Sequence, residues 1–88
     1  MKHYNIRVTG RVQGVGFRYS AMRMAQSYAV TGFVRNEADG SVYIEAEGEE
    51  PNLGLFLDWC ETGPGFGRVE QVHKTESNMQ NYSDFSVR

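Results

Sequence analysis

The 88-residue chain is 40% hydrophobic and 23% charged, the balance of a globular chain and not of a disordered one. Its net charge of −2 gives no general attraction to nucleic acid or to an anionic membrane, so any affinity for phosphate has to be local. The length suits one domain, residues 1–88, with a modest core, and no apolar run approaches the roughly 18 residues of a membrane span.

Met1-Lys2-His3-Tyr4-Asn5 lacks the apolar centre of a signal peptide, which makes a soluble cytoplasmic protein the expectation. Residues 3–9 then read as a first strand, with Tyr4, Ile6 and Val8 on a buried face and Asn5, Arg7 and Thr9 on a wet one. Gly10 to Arg18 follows: a glycine-rich turn between a strand and a helix start. Such a turn curls freely and aims several N–H groups at one point, beside the positive end of the helix dipole, which suits an anion. A cation at Arg18, in the first helical turn, opposes that dipole unless it shares an anion with the loop through its two-pronged guanidinium. A solvated arginine after an ordinary turn is the other reading, and the loop alone does not choose between them.

Phe17, Ala21, Met24, Ala25 and Tyr28 recur at helical spacing and predict a core-facing helix over 17–28. Residues 30–36 read as a second strand, and Asp39-Gly40 as a hairpin turn. Residues 41–47 alternate, with Val42, Ile44 and Ala46 inward and Ser41, Tyr43, Glu45 and Glu47 outward. Glu45, Glu47, Glu49 and Glu50 together read as a solvated acidic patch. Pro51 marks the start of a second helix, whose apolar stripe is Leu53, Phe56, Leu57 and Cys60 and which stops at Gly63-Pro64. Cys60, the only cysteine, can make no internal disulfide and reads as a core thiol. Residues 68–75 form a fourth strand in which Val69 and Val72 are out of phase, a sign of a bulge. Residues 76–81 read as loop, and Ser83, Phe85 and Val87 as a short last strand.

The order β-α-β-β-α-β with a small terminal strand is the ferredoxin-like split βαβ arrangement: an α+β sandwich with two helices on one face of an antiparallel sheet. Strands one and two run the same way with strand three between them, so their C-terminal ends share a sheet edge about 10 Å apart. One end delivers the 10–18 loop and the other delivers Asn36. An uncharged amide is thereby set beside the anion cradle.

Gly10-Arg11-Val12-Gln13-Gly14-Val15-Gly16-Phe17-Arg18, followed by Gly32-Phe33-Val34-Arg35-Asn36-Glu37-Ala38-Asp39-Gly40-Ser41-Val42, closely resembles the signature pair of the acylphosphatases. Gly63-Pro64 and Phe85-Ser86-Val87-Arg88 look like that family too, so the similarity covers essentially the whole chain. Phe33 stands where the family usually has tryptophan. The resemblance implies the ferredoxin-like fold and hydrolysis of the carboxyl–phosphate bond of acyl phosphates, with no cofactor. It implies that Arg18 binds phosphate together with the backbone of Gln13, Gly14, Val15, Gly16 and Phe17, and that Asn36 positions the attacking water.

The chemistry is consistent with these residues. A carboxylate leaving group has a conjugate acid of pKa about 4 and needs no general acid at neutral pH. Phosphoryl transfer through a loose transition state asks mainly for positioning and charge stabilisation, which amides and a bidentate arginine supply. The only lysines are Lys2 and Lys74, so no Walker loop is present, and the residue six after Cys60 is Phe66, which excludes a Cys-x5-Arg phosphatase. His3 and His73 stand alone, without the ligand clusters of a metal site, and read as strand residues with no catalytic role. Arg11, Arg23 and Arg35 read as surface charges. An RNA-binding sheet would carry an RNP signature that is absent here. A domain that only senses a phosphorylated metabolite would keep the loop and Arg18 but have no need of Asn36. The partners expected are therefore a small acyl phosphate and inorganic phosphate, with no nucleic acid and no membrane, and a monomer is the simplest state.

Overall fold

The computed structural model describes residues 1–88. Alternating apolar and polar residues form β1 (Lys2–Arg11), which buries Ile6 and Val8 on the helix side of the sheet. After the turn, α1 (Phe17–Ser27) buries Phe17, Ala21 and Ala25, three residues of one helical stripe. β2 (Thr31–Asn36) and β3 (Val42–Gly48) form the predicted hairpin, with Asn36 opposite Val42. α2 (Glu50–Thr62) opens with Pro51 in its first turn, where a missing N–H costs nothing, and buries Leu53, Phe56 and Cys60.

β4 (Arg68–Ser77) runs two residues past the expected end, because Glu76 and Ser77 pair with Tyr4 and His3 at the edge of β1. The predicted bulge is present: Thr9 faces Gln71 but Gly10 faces Val69, leaving Glu70 as the extra residue. β5 (Phe85–Val87) closes the sheet, whose order is β4-β1-β3-β2-β5. Ser83 lies outside this strand.

β5 lies parallel to β2, Phe85 opposite Gly32 and Val87 opposite Val34. The sheet is therefore mixed and not purely antiparallel, since a chain returning under the sheet from β4 reaches β2 from the same end at which β2 begins. α1 packs on β2 and β5, and α2 on β4, β1 and β3. Phe17, at the head of α1, packs against Trp59 of α2 with ring centres 5.2 Å apart, so the end of the turn is anchored in the core between the helices.

The helix-free face corrects one expectation. Glu47 is 1% exposed and Glu45 is half-buried, so neither belongs to a solvated patch; only Glu49 and Glu50 are out in water. The cause is the segment between β4 and β5, which lies across this face. The backbone N–H groups of Gln80 and Tyr82 both donate to Glu47, and the Tyr82 hydroxyl donates to Glu45 at 2.6 Å. His3, also buried, completes the cluster, with Nδ1 2.7 Å from Glu47 and Nε2 2.7 Å from Asn5. The carboxylates are hydrogen-bonded on all sides, the condition under which such groups are tolerated inside a protein.

Candidate active site

β1 ends at Arg11, and the chain curls through residues 12 to 16 before α1 begins. Two left-handed residues make the curl, Gly14 at φ 74° and Gly16 at φ 79°, a backbone conformation that side chains with a Cβ adopt at a cost. Gly16 is also the residue before the first helical turn, where no side chain caps the free N–H groups. The N–H groups of residues 13 to 16 donate to no backbone carbonyl. This is a concave nest of donors at a helix start, the arrangement that accepts an anion.

Arg18 lies on the first turn of α1. Its Nη1 donates to the main-chain oxygen of Arg88 at 3.2 Å, which steadies the guanidinium. The neighbouring arginines are engaged otherwise: Arg35 pairs with Glu37 at 3.3 Å and Arg7 with Asp39 at 3.7 Å, while Arg18 pairs with no Asp or Glu side chain. The hydroxyl and the N–H of Ser41 hold the Asp39 carboxyl below the usual carboxylate range. An anion in the nest therefore meets a guanidinium that no Asp or Glu side chain occupies.

A cleft of about 130 Å³ brings the expected residues together: Gly14, Gly16, Phe17 and Arg18 from the turn and helix, and Asn36 from the end of β2. Val12 and Tyr19 complete its lining. Oδ1 of Asn36 is buried and receives no hydrogen bond from any protein group. Buried polar atoms left in that condition cost about 1–3 kcal/mol, and such atoms concentrate where a fold serves a ligand.

Gln13 and Val15 are not part of the lining. Val15 packs on the core, and Gln13 turns its side chain to the β2–β3 hairpin, donating from Nε2 to the carbonyls of Glu37 at 2.7 Å and Ser41 at 2.9 Å. Gln13 thus ties the turn to the strand end that carries Asn36, a role invisible in a motif that lists residues without partners. Tyr19 also escaped sequence reasoning; its only signal was an aromatic placed off the apolar stripe of α1. No group of three His, Cys, Asp or Glu side chains is arranged to hold a metal ion, and no helix is long and apolar enough to cross a membrane.

The acylphosphatase family model matches residues 4–87. An acylphosphatase of Thermotoga maritima is 47% identical over 88 residues, which cover 100% of this chain and 98% of that protein. One from Lactiplantibacillus plantarum is 44% identical over 88 residues, covering 99% of this chain and 98% of its own. In three dimensions the chain is similar to the crystal structure of acylphosphatase from Bacillus subtilis, with a TM-score of 0.97, 40% identity, and coverage of 100% and 99% of the two chains.

Proposed function

The chain belongs to the acylphosphatase family, hydrolases of the carboxyl–phosphate bond of acyl phosphates, and on that premise we propose how its own residues carry the reaction. The amides of Gln13, Gly14, Val15, Gly16 and Phe17 and the guanidinium of Arg18 hold the phosphate. Asn36 accepts a hydrogen bond from water through Oδ1 and sets its line of attack. The observation that carries this assignment is that Asn36, whose Oδ1 has no protein hydrogen-bond partner, lines the same cleft as Arg18.

In the step itself, the water oxygen bonds to phosphorus while the bond from phosphorus to the acyl oxygen breaks. The electron pair leaves on the carboxylate, and a water proton passes to a phosphate oxygen. Charge on the equatorial oxygens is met by donors already in place, so little reorganisation accompanies it. Asn36 is too weak a base to take the proton, and the scheme asks for no other base, no metal and no cofactor. Residues 1–88 act as one domain in this reading, monomeric and cytoplasmic, with inorganic phosphate as product and competitor.

The test is turnover of an acyl phosphate in EDTA by the intact protein, Arg18→Ala and Asn36→Ala. Each variant is expected to lose about a hundredfold or more in kcat, the usual loss for one preorganised donor or positioning group. Phosphate should compete in the intact protein and in Asn36→Ala but not in Arg18→Ala. Turnover that survives in Arg18→Ala, or that needs a metal, overturns the assignment.

A further inference from the structure

Resting on that reaction, we propose that Tyr19 forms the acyl subsite of the cleft and that the enzyme favours acyl phosphates whose acyl group is flat and apolar. Each wall of the cleft has one chemical character. In the proposed reaction the turn amides and Arg18 meet the equatorial oxygens and Asn36 takes the water, which leaves Val12, Phe17 and Tyr19 as the other lining residues. In-line displacement puts the departing oxygen opposite the water, so the acyl group leaves towards a wall that neither group occupies.

Val12 and Phe17 cannot serve as that wall, because each is 1% exposed and already spent on the core. Tyr19 is 62% exposed and lines the cleft, which sets it apart from the other exposed large apolar residues, Met1, Leu55 and Phe66. Its ring enters none of the aromatic or cation–π pairs of the fold. An exposed position inside a helix is served better by alanine, lysine or glutamate than by an aromatic residue, so helix formation does not account for it either. A free aromatic face beside the exit of a leaving group offers offset stacking to a planar acyl group and little to an acetyl group.

The experiment measures kcat/KM for benzoyl phosphate and acetyl phosphate on the intact protein, Tyr19→Ala, Tyr19→Phe and Phe66→Ala. Stacking of one ring on another corresponds to about two- to tenfold, so the benzoyl-to-acetyl ratio should fall by that factor in Tyr19→Ala. Tyr19→Phe should keep the ratio, because the ring and not the hydroxyl carries the effect, and Phe66→Ala, an aromatic outside the cleft, should keep it too. A ratio unchanged in Tyr19→Ala, or lowered equally by Phe66→Ala, overturns the subsite while the reaction stands. Absence of turnover of either substrate by the intact protein overturns the reaction and the subsite together.

Discussion

An amide oxygen without a protein donor is a burden on folding until a water or ligand supplies one, and Asn36 carries such an oxygen. Asn36→Leu, close in size and free of that burden, is expected to leave the folded state at least as stable, within about 1 kcal/mol by chemical denaturation. The same variant should lose turnover about a hundredfold or more. Glu47 is the reverse case, a buried carboxylate fully supplied with donors. Glu47→Gln keeps the shape but turns an NH₂ group towards those donors, so urea titration at neutral pH should show a loss of about 1.5–3 kcal/mol. Arg18 and Asn36 were legible because their motifs fix both residue type and spacing. Glu47 was not, since strand alternation tells which face a residue occupies and is silent about what later covers that face. The covering segment, residues 78–84, has no periodicity of its own.

Elements, more than single residues, set the distance between Arg18 and Asn36. One is carried by α1 and the other by β2, and the Gln13 side chain joins the two supports through the hairpin carbonyls. Gln13→Met preserves length and removes the donor, leaving the backbone amide in the turn. Steady-state kinetics should show kcat falling about tenfold with a smaller change in inhibition by phosphate, because alignment of water and phosphate suffers more than the phosphate cradle. Equal loss in both would mean that Gln13 serves only to keep the turn folded. The two helices, the hairpin and the β4 bulge were readable from spacing and turn residues, and the β1-β3-β2 order followed from them. The partner of β5 was not readable: three residues carry too little pattern to say which edge they join, and the parallel register with β2 is decided by where the crossing segment lands.

For the whole molecule, the cluster under that segment sets the limits of pH stability. Burial pushes the Glu47 and Glu45 carboxyls up, but donors from Gln80, His3 and Tyr82 to the first, and from Tyr82 and Tyr43 to the second, leave both below the ordinary 4.5. Their contribution is complete above that pH and lost as pH falls through the lowered values. Burial, and then the hydrogen bonds to Glu45, push the Tyr43 and Tyr82 phenols from 10.0 up to about 12. Their share is complete below pH 10 and lost as pH rises towards about 12. Melting temperature against pH should therefore fall away on both sides of a broad plateau. Glu47→Gln should flatten the acid limb and Tyr82→Phe the alkaline one; identical profiles for all three proteins would remove the cluster from the account.

The bond from Arg18 to the main-chain oxygen of Arg88 spans 70 positions of sequence. On the ribosome this orders events. A nascent chain with residues 1–84 exposed already holds the turn, Arg18 and Asn36, yet it lacks the strand that closes the sheet beyond β2 and the main-chain oxygen that steadies the guanidinium. Chains truncated before Phe85 should therefore bind phosphate poorly, and competence should return when residues 85–88 are restored.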